Sequence, residues 1–242
     1  MRAIRRAAAA LRRIAAAAPK VGLSRRGAVR TAQRIVAVTD RPVIAKTALI
    51  LVGTALVAVG ASFTIRADLG TGSLDVLFTG IATQLDISIG QASWIFSAVS
   101  LTACMAVGAR PGWGTAVFLA AIGFFVDSAL SVVTTPDALV LRMAMPPLGI
   151  AVAAFGIATV ACAGMGAGTF ELLTDRAVAA GLNRTAFRTC LEGGVLALGI
   201  ALGGAIGPAT LFVVLATGPA ITGMATLLAD LRAGRDLRLG RS

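Results

Sequence analysis

Histidine is absent from all 242 residues of the chain, and cysteine occurs only three times. Without histidine the usual zinc and haem ligand sets cannot be assembled. Ser-His-Asp and Cys-His catalysis fall with them. Cys104, Cys162 and Cys190 lie far apart inside apolar segments, and none forms a CxxC pair. They read as small hydrophobes rather than ligands or redox partners. With no catalytic constellation visible, the sequence predicts neither an enzyme nor a metal or cofactor site. Charge is the next scarcity. Only 14% of residues are charged and 57% are hydrophobic, where a soluble domain is about a quarter charged and about half apolar.

The few charges are unevenly placed. Of 22 Lys and Arg, twelve lie in residues 2–46 and four in residues 232–241, leaving six for the 185 residues between. Uncharged runs fill that interval: Thr47 to Ile65, Ile87 to Ala109, Pro111 to Val126, Met143 to Phe170 and Gly193 to Ala229. Each approaches or exceeds the roughly 20 residues that cross a hydrocarbon core of about 30 Å. The formal charge of +11 therefore points to cytoplasmic flanks that resist translocation and meet anionic headgroups. It does not point to nucleic acid, because the aromatic-basic interleaving of single-strand binders is missing. The expected class is all-α, a multi-pass membrane protein with both termini cytoplasmic and the lipid bilayer as its first partner. A homo-oligomer is left open.

The N-terminal 42 residues are Ala- and Arg-rich, with basic pairs at Arg5–Arg6, Arg12–Arg13 and Arg25–Arg26. Arg12 and Arg13 interrupt any apolar signal-peptide core. An Arg-rich transit peptide fits the composition, but a cytoplasmic tail, disordered or lying as a helix on anionic lipid, is the simpler expectation. Beyond it, spans are expected at about 43–65, 89–109, 114–133, 141–163, 185–203 and 207–228. Two short segments, 69–85 and 166–181, are interposed. Residues 230–242 form a basic tail.

This order repeats. Leu69-Gly70-Thr71-Gly72-Ser73-Leu74-Asp75-Val76-Leu77 matches Met165-Gly166-Ala167-Gly168-Thr169-Phe170-Glu171-Leu172-Leu173 at an offset of 96. Gly53 and Gly60 match Gly149 and Gly156 at the same offset. After a one-residue slip, Gly112, Thr115 and Gly123 match Gly207, Thr210 and Gly218. The expectation is a tandem duplication, with membrane units at 43–135 and 136–229. If the short segments are re-entrant or interfacial, each unit crosses three times and the second is inverted. If they span, each crosses four times and the units run parallel. Charges near a bilayer centre cost several kcal/mol, and Glu171, Asp175 and Arg176 lie in the second short segment. Six spans in an inverted repeat are therefore favoured.

These motifs resemble the YitT/YczE family of bacterial integral membrane proteins over roughly 47–228. The marks are the two Gly-x-Gly segments, Gly112-Trp113-Gly114-Thr115 with Gly123 and Asp127, Arg188 with Glu192, and Gly203-Gly204-Ala205-Ile206-Gly207. Ser73-Leu74 and Thr169-Phe170 depart from the Pro-Trp or Pro-Arg usual there, and Gly207-Pro208-Ala209-Thr210 departs from Gly-x-Gly-Thr. The resemblance implies a bacterial cytoplasmic membrane protein and no settled biochemical activity.

The candidate site residues follow from the duplicated motif. Gly70 with Gly72, and Gly166 with Gly168, open short helices whose free N–H groups attract anions, or substrate where a helix is broken within the membrane. The glycines equally serve close helix packing. Asp75 and Glu171 stand in the first turn, where an acid suits the helix dipole or binds a cation. Asp127 follows a charge-free run and reads as an intramembrane acid or as a solvated one at the outer boundary. Arg188 and Glu192, four apart, share a helix face and are expected to form an ion pair. Two functions compete. The first is a transporter of a small solute or ion with a polar cavity at the repeat interface. The second is a non-transporting scaffold or regulator acting through partners or its basic tails.

Overall fold

The computed structural model describes residues 42–165 and 168–239. The expected N-terminal tail, Gly166 and the last three residues lie outside the described residues. Eight α-helices and no strand are found among those described. They are α1 Val43–Arg66, α2 Ser73–Leu85, α3 Ile89–Ala106, α4 Trp113–Val132, α5 Leu139–Ala161, α6 Thr169–Ala179, α7 Arg184–Ala201 and α8 Pro208–Leu239. The fold is all-helical, as the apolar runs require.

Among the described residues four helices are long and apolar enough to cross a membrane: α1, α3, α4 and α5, of 24, 18, 20 and 23 residues. The sequence predicts spans at α7 and α8 as well. Helix α7 has 18 residues, but Arg184, Arg188 and Glu192 occupy its first half. Helix α8 is free of charged residues from Pro208 to Ala229. The helix then runs on through the segment expected as a tail, to Leu239. Residues 229–239 contain no proline and are rich in Leu, Arg and Ala, which favour helix.

Local chemistry explains the boundaries. Ser88 caps α3 in a reciprocal capping box with Gln91, and the Asn183 side chain caps α7 through the Ala186 N–H. Asp86 ends α2 in the left-handed region at φ 53°, a conformation that Asp tolerates. Pro146 and Pro147 lie inside α5. Packed neighbours in the membrane tolerate such breakers.

At the centre, α1 packs along α5 in the antiparallel sense. Gly53 faces Gly156 and Gly60 faces Gly149, so close that a Cβ on Gly60 would meet the Gly149 carbonyl oxygen at 2.5 Å. Small residues let membrane helices approach in this way. Ile50, Thr54, Ala58 and Ser62 complete the buried face of α1. Helix α4 flanks α1 and α8 flanks α5, while α2 lies on α7 and α6 lies on α3. The outward faces are apolar: Ile44, Val132 and Val140 are 83%, 80% and 78% exposed. So much exposed hydrocarbon fits lipid, not water.

Helix starts recur along the chain. Val43, Ser73, Ile89 and Trp113 are followed by Leu139, Thr169, Arg184 and Pro208, which lie 96, 96, 95 and 95 residues later.

Candidate functional site at the short helices

Helix α2 is anchored by the other half of the molecule. Before it, the Leu69 carbonyl accepts the Ala209 N–H at 2.8 Å. Gly70 adopts φ 101°, and a Cβ there would meet the Gly207 nitrogen at 2.5 Å. Only glycine fits both demands. Along the helix, the Thr79 hydroxyl accepts the Ala205 N–H at 2.9 Å, and Gln84 donates to the Leu202 carbonyl at 3.1 Å. Gly199 lets α7 touch the backbone of Val76 and Leu77.

Asp75 lies in the first turn of α2. Its Oδ2 accepts from the hydroxyls of Thr71 at 3.0 Å and Thr64 at 3.4 Å. The two hydroxyl oxygens are 3.1 Å apart. Thr64 and Thr71 are buried, 4% and 1% exposed. The end of α1, the glycine loop and the start of α2 thus converge on one carboxylate. Three oxygens grouped in a partly buried place suit a cation or a shared proton. Helix geometry explains the placement: Thr64 is in the last turn of α1, and the Gly70 turn folds Thr71 back onto it.

Around α6 the arrangement differs. The Met165 carbonyl accepts the Gly114 N–H at 3.1 Å, tying the approach to α6 to the start of α4. Gly168 is the N-cap of α6 in extended backbone. The Glu171 side chain lies outside the described residues, as does Gly166. Thr169 and Phe170 are buried, and the Cys104 thiol donates to the Thr169 carbonyl at 3.5 Å. Phe78 of α2, Phe96 of α3 and Phe170 of α6 form a chain, with ring centroids 5.6 and 6.0 Å apart. The Arg188 guanidinium stands over Phe170 at 5.1 Å, a cation–π contact. It also donates from Nε to Glu192 Oε1 at 2.7 Å.

Asp127 belongs to a separate cluster. Its Oδ2 accepts from the Ser88 hydroxyl at 2.6 Å and its Oδ1 from the Gly90 N–H at 2.8 Å. Both oxygens serve the N-terminus of α3, where a carboxylate satisfies free N–H groups and suits the dipole. The structure therefore brings Asp75 and Gly72 together but joins Asp127 to none of the other candidates. Sequence reasoning overlooked Thr64, Ser88 and the aromatic chain. It also missed Arg142, which donates to the Ala67 carbonyl and pairs with Asp68 at 2.8 Å. The duplicated Gly-x-Gly motif pointed to Thr71 by position, whereas Thr64 carried no local signal. An open cleft of about 820 Å³ lies elsewhere, at Met105, Gly108, Ala109, Arg110 and Arg176.

The profile described as "Family of unknown function (DUF6198)" matches residues 44–226. An uncharacterized protein of Haemophilus influenzae is 28% identical over 168 residues, which cover 69% of this chain and 77% of that protein. No solved structure matches.

Proposed function

Starting from a chain that belongs to DUF6198, a family of unknown function, we propose a multi-pass transporter of a small solute or ion, built as an inverted repeat. The resemblance of its motifs to the YitT/YczE family supports the membrane class and leaves the cargo open. The observation that carries the transport reading is the Asp75–Thr64–Thr71 cluster. It places an acid and two hydroxyls at the start of a short helix that the opposite half of the molecule holds in place. Short helices ending within the membrane are where transporters bind substrate. Carboxylate and hydroxyl oxygens favour a cation or a protonated solute.

Three features support the inverted repeat. Helix starts recur at steady offsets. The counterpart helices α1 and α5 are antiparallel, and their glycines cross-pair as Gly53 with Gly156 and Gly60 with Gly149. The bond from Ala209 to Leu69 has a mirror in the bond from Gly114 to Met165. In this reading α2 and α6 are re-entrant, the other six helices span, and both termini are cytoplasmic. Asp127 and the Arg188–Glu192 pair serve as structural supports, and anionic lipid meets the basic tails.

The test is flux into proteoliposomes, using labelled sodium, labelled rubidium and a trapped pH dye as probes. The wild type should move one of them. Asp75→Asn should lose most of that flux, and Thr64→Val with Thr71→Val should reduce it. Wild-type flux surviving in Asp75→Asn would remove Asp75 from the site. A second reading is a non-transporting scaffold or regulator. One observation favours it: the carboxylates of Asp75 and Asp127 already have partners within the protein. It predicts no flux of any probe, and loss of cellular activity when residues 1–40 are removed.

A further inference from the structure

The open cleft between the end of α3 and α6 has an unusual lining. Of its five residues two are arginines, Arg110 and Arg176, and none is acidic. Among the described residues neither arginine has an ion pair or a side-chain hydrogen bond. The backbone is shaped to admit one of them. Gly108 adopts φ 72°, and a Cβ there would lie 2.8 Å from Arg176 Nη2. A side chain at 108 would be strained by its own backbone and would displace the guanidinium. Two like charges facing one concavity raise its potential and concentrate anions.

The rim adds a second signal. Met105, Val107 and Trp113 border the cleft in sequence and are 55%, 54% and 67% exposed. An exposed Trp beside basic residues suits the level of lipid headgroups, and apolar neighbours suit acyl chains. We propose that this cleft binds a phosphate group through Arg110 and Arg176, as the headgroup of an anionic phospholipid or as free phosphate. The guanidinium fork matches phosphate oxygens in pairs. The apolar rim favours the lipid as the source. The site lies apart from Asp75 and requires no flux, so it stands whether or not the protein transports.

The test uses the full chain in detergent, with phosphatidylglycerol and inorganic phosphate as separate probes. Native mass spectrometry should show phosphatidylglycerol retained by the wild type. Arg110→Gln with Arg176→Gln should weaken the tightest binding by about tenfold or more, as lost charge-assisted bonds imply. Arg12→Gln with Arg13→Gln removes the same charge from the basic N-terminal region and should leave that binding intact. If inorganic phosphate instead raises the melting temperature of the wild type but not of the cleft variant, the ligand is free phosphate. Equal binding of both probes by wild type and cleft variant overturns the proposal. So does an equal loss in the tail variant, which would reduce the effect to diffuse charge. Both arginines are exposed, so glutamine is tolerated there. Should the double variant lose its monodisperse peak, Arg110→Gln and Arg176→Gln are read singly by the same criteria.

Discussion

The surroundings of α2 and of α6 occupy matching places along the chain and solve the same problem with different chemistry. Around α2 the acid Asp75 is met by neutral hydroxyls, Thr64 and Thr71. At an offset of 96 those positions hold Val160 and Ala167. The α6 side is instead rich in charge, with Glu171, Asp175, Arg176 and the Arg188–Glu192 pair. The supporting helices differ too. Where α7 presents Gly199 to α2, α3 presents Cys104 to α6, 95 residues earlier, and its thiol stands between the backbones. Backbone geometry, by contrast, recurs: Asp68 with Gly164, Asp86 with Gly181 and Gly108 with Gly203 all have positive φ. A backbone plan can be kept while the chemistry it presents diverges, because turns depend on a few φ values and side chains do not.

The contrast can be broken most severely at Gly199. Gly199→Val should cost about 3 kcal/mol or abolish folding, since overpacking against backbone has no side chain to yield. Cys104→Ala, at the matching place, should cost about 1 kcal/mol, because it only removes a small buried group. Thermal unfolding in detergent reads both, and similar losses would show that the two short helices are seated alike.

The hydroxyls around Asp75 come next. Thr64→Val with Thr71→Val should lower stability by about 2 kcal/mol, at about 1 kcal/mol per lost hydrogen bond. Proteoliposome flux should fall in parallel. Unchanged melting and flux would mean that the hydroxyls do not define the site.

On the charged side, Glu192→Ala should cost about 0.5 kcal/mol, as expected for a partly exposed pair four residues apart. Glu192→Gln should cost less, because the amide still accepts from Arg188. Folded yield after size exclusion, together with the melting midpoint, distinguishes the two, and equal negligible effects would remove the pair as a support of α7. The smallest effect is expected beside it. A methyl group added at Gly193 would have nothing within 4 Å of it, so Gly193→Ala should raise stability by about 0.5 kcal/mol through helix propensity. A loss there would reveal a close neighbour on that face.

Much of the fold was legible in order. The expected start at 43 is the observed one, and the expected 89, 114 and 185 fall within one residue of the observed Ile89, Trp113 and Arg184. Hydropathy and punctuation by Pro, Gly and Ser act locally, so they can be read locally. The reading was weaker where a helix has no reason to stop, as in α8, which continues to Leu239. Site residues divided on the same line. Asp75 stood out because its motif occurs twice. Its partner Thr64 did not, because an ordinary threonine in an apolar run signals nothing until a turn folds the chain back. Asp127 was conspicuous as an acid, but its partners Ser88 and Gly90 lie 39 and 37 residues away.

By itself, the sequence determined an all-helical chain with outward apolar faces, a basic N-terminal region, and a motif that occurs twice. These follow from composition and short-range spacing, which need no knowledge of neighbours. Tertiary structure alone decided that α1 meets α5 glycine to glycine, that Asp75 faces two threonines while Asp127 caps α3, and that Arg110 and Arg176 share a cleft. Those outcomes depend on which surfaces close-pack across the chain, and close packing is settled by the shapes of both partners together.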